Sequence, residues 1–336
     1  MDRRDILMPA ESGEYIARHA EHVKIHEEGL EKLCEVMLSS MTDKLQVPDS
    51  GTYINRPSND DPRAVDWVFF ADALNFCFWT KQGDPKYIVD GETGYYALEA
   101  AMARALKEGY DLLNPEYYSK ITKEDLAHIL RSDSEVPIPL FEQRLTILHD
   151  VGKTLIEKYN GTFMTCVKLA NKSALKLLKI IVEDFPCFRD EVVYKGKFVS
   201  LYKRAQILIG DLWYFFDGKS WGEFEDIDKI TLYADYRIPQ VLVYFGAMSY
   251  SDGLMKKLQN DEHLPSGSDE EIEIRGCSIH AVELLQKKLK QKIVEQKLKA
   301  EVPNASLIDY FLWCYRRKYA DELAKVPFHK TVGIFY

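Results

Sequence analysis

Apolar side chains return at helical spacing through most of this chain, and that period limits its fold more than any other feature. Leu30, Leu33, Val36 and Met37 fall on one helical face, and Leu145, Leu148, Val151 and Leu155 on another. Further helices are expected over 94–109, closed by Gly109, and over 122–131, with Thr122 as N-cap and Asp125 in the first turn. The same signals predict helices over 139–159, 200–216, 241–248, 252–259, 279–300 and 306–324, and two short ones within 161–185. The apolar run 64–79 reads as a buried helix, although its period also admits a strand. Strands are expected only in hairpins, at Asp90-Gly91 and over Val192 to Val199, and at the terminal Ile334 to Tyr336. Residues 46–63 and 260–271 read as loops. No repeat, low-complexity tract or Pro/Ser linker interrupts the pattern. The expectation is one mainly α-helical domain, 1–336, with minor β-hairpins.

At 336 residues and 46% hydrophobic content, the chain has ample material for a core. A formal charge of −9 argues against a nucleic-acid duplex as the main partner. A small anion needs only a local group of basic side chains. The six cysteines, at 34, 77, 166, 187, 277 and 314, lack CxxC or Cys/His metal spacing and are expected to be reduced. The first 14 residues are charged, and no apolar run approaches membrane-spanning length. A protein of the cytosol, or of the nucleus, follows as the expectation. GxGxxG, GxxxxGK[ST] and HExxH do not occur. Neither a cofactor nor a metal is therefore expected, and any chemistry rests on carboxylates.

Between Lys229 and Leu242 the apolar pattern opens around Tyr233, Asp235, Tyr236, Arg237 and Gln240. Pro239 holds Ile238 out of the helical region, which places the polar centre on a turn leading into a helix. Asp235 there is either an N-cap or ion-pair partner of Arg237, or a catalytic carboxylate in an aromatic pocket. Asp66, Asp72 and Asn75, set among aromatics, read as core groups with satisfied hydrogen bonds. Arg131, Asp133, Glu142 and Arg144 read as ion pairs tying helices together, and His19, His22 and His26 as solvated. Lys203, Arg204 and Gln206 begin the helix over 200–216, where two cations oppose its dipole. Solvation and anion binding both remain open for them.

The blocks AVDWVFFADALNFCFW, ILRSDSEVPIPLFEQRLTIL, SLYKRAQILIGDLW, TLYADYRIPQVL, EIEIRGCSIHAVE and DYFLWCY, in this order, resemble the queuosine salvage proteins. The resemblance covers residues 10–330. It implies a helical fold similar to the helix–hairpin–helix DNA glycosylases, and hydrolysis of queuosine 5′-monophosphate to queuine and ribose 5-phosphate without a cofactor. On this resemblance Asp235 is the catalytic aspartate and Tyr233 lines the base. Asp309 and Tyr310 contact the base. Cys314 stands where a carboxylate is expected, and Tyr53 where a base-side histidine is expected. Lys203, with Arg204 beside it, is placed near the ribose phosphate. The implied partner is a small nucleotide bound by a monomer. Two other classes remain: a nucleic-acid glycosylase, and a helical protein that binds queuine or a related 7-deazaguanine without turnover.

Overall fold

The computed structural model describes residues 5–41, 57–61, 63–80 and 83–336. Among these, fifteen α-helices form: α1 (Pro9–His19), α2 (Glu27–Met41), α3 (Ala64–Ala73), α4 (Tyr95–Lys107), α5 (Pro115–Tyr118), α6 (Lys123–Ile129), α7 (Phe141–Lys158), α8 (Phe163–Ala170), α9 (Ala174–Asp184), α10 (Lys203–Phe215), α11 (Ile238–Tyr244), α12 (Asp252–Gln259), α13 (Asp269–Glu295), α14 (Ala305–Lys318) and α15 (Ala320–Leu323). Three two-stranded antiparallel sheets accompany them. β1 (Val23–Ile25) pairs with β6 (Met248–Tyr250), β2 (Ile88–Val89) with β3 (Glu92–Thr93), and β4 (Glu191–Tyr194) with β5 (Lys197–Ser200). Among the described residues no helix is long and apolar enough to cross a membrane. The mainly α-helical expectation holds.

The chain divides into two compact units, each gathered from separated stretches. Residues 1–49, 190–203 and 228–332 make the first; 50–189, 204–227 and 333–336 make the second. One boundary falls after Lys203, the first residue of α10.

In the first unit α1, α2, β1, α11 and α14 pack around α13. Residues 271–275 alternate polar and apolar, and the sequence reading began the helix only at Ile279. The structure starts it at Asp269, with the Ser268 hydroxyl accepting from the Glu271 N–H. The alternation misleads because this end of α13 is buried on every side. Its charged side chains meet internal partners instead of water: Glu273 accepts from the Glu21 and His22 amides (3.0 and 2.6 Å) and from the Tyr194 hydroxyl (2.9 Å). Helix α1 lies against α13 through glycines. A Cβ on Gly276 would stand 2.5 Å from Ile16 Cδ1, and one on Gly13 2.9 Å from Ile279 Cγ2.

In the second unit Phe69 stacks on Phe163 (4.3 Å between centroids) and meets Phe185 edge-on (5.2 Å). Helix α3 stops at Ala73 rather than continuing to Trp79. Its terminal carbonyls would be orphaned in the interior, and two buried arginines take them. Arg204 donates to the carbonyls of Asp72 (2.7 Å) and Ala73 (2.6 Å), and Arg144 to those of Leu74 and Phe76. Asp66, by contrast, fits its bland reading: it accepts from the Thr162 hydroxyl and the Phe163 N–H at the start of α8. Burial pushes its carboxyl up to about 6. The expected terminal strand is absent; Ile334 and Phe335 form a turn, and the Tyr336 carbonyl accepts from the Cys77 N–H.

Candidate active site

Residues 230–236 run without regular structure into α11, with Pro239 in the helix's first turn; Ile238, expected to stay outside the helix, is its first residue. The first amides of a helix have no partner within it. Asp235 Oδ1 accepts two of those at this end, from Arg237 and Ile238, both at 2.8 Å. Its other oxygen, Oδ2, takes no hydrogen bond and forms no ion pair within 4.0 Å among the described residues. Arg237 instead donates to Gln240 Oε1 (3.1 Å) and lies over the Phe328 ring (4.1 Å). Burial pushes the Asp235 carboxyl above its ordinary value, while Lys203, the two amides and Arg237 hold it back.

A second carboxylate meets the same segment from α14, whose start is capped by the Asn304 side chain. Asp309 Oδ2 accepts from the Tyr233 N–H (3.2 Å), and the Tyr233 hydroxyl donates to Ser306 Oγ (2.7 Å) a turn earlier on α14. Asp309 therefore repeats the arrangement at Asp235: one oxygen anchored by a main-chain amide, one left open among the described residues. Burial, then repulsion from Asp235, raises the Asp309 carboxyl well above its ordinary value; Lys203 pulls both acids down. The two carboxylates and Lys203 thus form one interacting electrostatic group. Tyr310 and Cys314 follow Asp309 on α14. Burial pushes the Cys314 thiol up, with Tyr310 opposing the shift.

A buried ionic network holds this segment. Arg275 on α13 donates from Nε to the Ala234 carbonyl (3.0 Å), from Nη1 to Asp190 Oδ1 (3.0 Å) and Glu271 Oε1 (3.2 Å), and from Nη2 to Asp190 Oδ2. Asp190 Oδ2 also accepts from the Lys203 N–H (3.4 Å). One guanidinium thereby fixes the residue before Asp235, and its carboxylate partner fixes the residue that faces both acids. His329, buried and beside the Arg275 charge, is pushed down to about 3, so it is neutral. The sequence reading passed over Arg275, Glu271 and Asp190. For Arg275 the signal was charge inside a stretch as apolar as Ile272 to Ile279, where a solvated end has no room; Asp190 carried none.

A family model described as "Queuosine salvage protein" matches residues 55–336. The chain belongs to that family. It is 42% identical over 334 residues to a Mus musculus protein, covering 98% of this chain and 99% of that one. It is 43% identical over 339 residues to a Bos taurus protein (98% and 99%), and 37% over 276 residues to one from Sphaerobacter thermophilus (81% and 81%). All three carry the name queuosine 5′-phosphate N-glycosylase/hydrolase.

Among the residues singled out in this family member's sequence, Tyr233, Asp235, Asp309, Tyr310, Cys314 and Lys203 all belong to the first unit. Tyr53 lies outside the described residues. Arg204 belongs to the second unit and is 1% exposed. Besides Asp72 and Ala73, its guanidinium serves the carbonyls of Cys187 and Ile334, both at 3.0 Å, and lies between the rings of Phe76 and Phe188. That geometry is a structural task. Among the described residues no group of three or more His, Cys, Asp or Glu is placed to hold a metal ion.

Proposed function

We propose that the protein hydrolyses the N-glycosidic bond of queuosine 5′-monophosphate, releasing queuine and ribose 5-phosphate. The observation that carries this reading is the matched pair of acids. Asp235 and Asp309 are each pinned through one oxygen by amides of a single segment, each with the other oxygen open, and Lys203 acts on both. The names borne by the relatives supply the substrate.

Breaking the bond from C1′ to the base nitrogen leaves the electron pair on the base and positive charge on the ribose. Asp235 Oδ2 is the group that stabilises this charge, and its fixed position means no reorganisation is needed as the charge appears. The same oxygen orients water, whose hydroxyl ends on C1′ and whose proton ends on the departing base. A 7-deaza base has carbon where an ordinary purine would be protonated, so catalysis leans on the ribosyl side. Asp309, ionised in the complex, accepts the adjacent N–H donors of the guanine-like edge. Tyr233 and Tyr310 hold the flat base by stacking. Lys203 lies at the ribose-phosphate side, where its charge keeps Asp235 ionised and attracts the phosphate. The reaction needs no cofactor, and its setting is the cytosol.

The test is direct. The purified protein is incubated with queuosine 5′-phosphate and free queuine is followed by chromatography. Release that scales with enzyme supports the proposal, and intact substrate after prolonged incubation with folded protein rejects it.

A further inference from the structure

A phosphate monoester carries about −1.5 to −2 charge at neutral pH. Lys203 supplies one positive charge and already acts on two carboxylates. Arg204 is committed to four main-chain carbonyls. A second cation is therefore wanted, and the first unit contains one whose donors are uncommitted. Arg316 on α14 makes no hydrogen bond and no ion pair within the described residues, and its Nε is sealed from solvent. Half-buried guanidinium groups normally find a carboxylate, because an unmatched charge taken from water is costly. Arg316 instead has Arg237 near it, whose repulsion adds to burial in disfavouring its charge, with Asp235 and Tyr236 opposing.

Its placement fits the missing role. Asp309 and Arg316 are seven residues apart on one helix, so they share a face and lie roughly 10 Å apart along the axis. Both look onto the segment that carries Asp235. Asp309 meets its start, through the Tyr233 amide (3.2 Å), while α14, which carries Arg316, packs on α11 at its end, and the charges of Arg237, Tyr236 and Asp235 act on Arg316. Base edge, C1′ and 5′-phosphate follow the same order in a nucleotide. We propose that Arg316 is the residue that completes the 5′-phosphate subsite and sets the preference for nucleotide over nucleoside. The inference rests on the assignment of Asp235 and Asp309 given above.

The experiment compares wild type, Arg316→Gln and Arg316→Lys on queuosine 5′-phosphate and on queuosine. A charge-assisted, forked contact to phosphate sets the scale, so the ratio of kcat/KM for nucleotide to nucleoside should fall about 10- to 100-fold in Arg316→Gln. Arg316→Lys should fall between, since a point charge cannot reproduce the fork. Ribose 5-phosphate should raise the Tm of wild type and lose that effect in Arg316→Gln, whose own Tm should equal or exceed that of wild type. An unchanged ratio, an equal loss on both substrates, or a lowered Tm of the free variant overturns the proposal. If wild type releases no base at all, the hydrolase reading fails separately. The ribose 5-phosphate shift then still decides on Arg316: its retention in Arg316→Gln rejects the subsite, and its loss supports it.

Discussion

Asp235→Asn separates the hydrogen bonds that Asp235 makes from the catalytic charge proposed for it. The carboxamide oxygen can occupy the Oδ1 position and accept the same amides of Arg237 and Ile238, at 2.8 Å each. The cap, an interaction of about 1 kcal/mol, is thereby kept. What disappears is the charge. Because burial raises the Asp235 pKa in the folded state, this group's stabilising contribution is fully present below the unfolded carboxyl value of about 3.9 and is lost as pH rises through the folded one. At neutral pH the ionised form is a folding cost, so the variant should melt at or above the wild-type temperature. On catalysis, general-base action is worth about 10²- to 10⁴-fold and stabilisation of developing charge about 10²- to 10³-fold. One group performing both does not give the product of these factors. A kcat loss of about 10³- to 10⁴-fold follows, or roughly 4 to 5.5 kcal/mol, with KM within a few-fold. The assay is chromatographic release of queuine under saturating queuosine 5′-phosphate, with Tm measured on the same samples. Asp235→Ala, which also loses the cap, should be less stable than Asp235→Asn by about 1 kcal/mol. Near-wild-type turnover by Asp235→Asn would refute the reasoning, as would a rate loss that tracks a collapse in Tm.

Asp309→Asn should raise KM about 10- to 100-fold through an unsatisfied base edge and raise Tm at neutral pH, because Asp309 is held well above its ordinary value by burial and Asp235. In wild type, binding an ionised Asp309 must release a proton, so KM should fall as pH rises towards its folded pKa and level above it; a flat KM–pH profile removes this role. Arg275→Lys keeps one charge but cannot serve Ala234, Asp190 and Glu271 together. It should lower stability by about 3 to 5 kcal/mol in urea unfolding, and below the denaturation range kcat should drop more than KM rises; preserved stability would contradict the network. Lys203→Ala should weaken the nucleotide more than the nucleoside, whereas Arg204→Ala should lose stability without altering that preference. A changed preference in Arg204→Ala would return it to the phosphate site.

Local signals in the sequence were read well where local chemistry decides. The turn into α11 follows from Pro239, the β2–β3 hairpin from Asp90-Gly91, with φ of 51° and 77°, and the start of α6 from Thr122, which accepts from the Asp125 N–H. The capping alternative offered for Asp235 is likewise local, and its Oδ1 does accept the amides of Arg237 and Ile238. Misreadings came where distant residues decide. The end of α3 depends on Arg144 and Arg204, far along the chain, and the start of α13 on burial that turns alternating polarity into internal pairing. β1 pairs with β6 across most of the sequence, which no local pattern announces. Lys203 and Arg204 show the same dependence on distant residues: two adjacent cations at a helix start are alike in sequence, but the charge of one acts on the acids and the other donates to carbonyls.

The acids are held by the backbone at Tyr233, Arg237 and Ile238, not by what those residues carry on their side chains. Every amino acid except proline has that donor. The side chains at 233 and 237 can therefore change while the anchoring of both carboxylates stays where it was. What surrounds the two acids in such a scaffold is free to drift without moving the acids themselves.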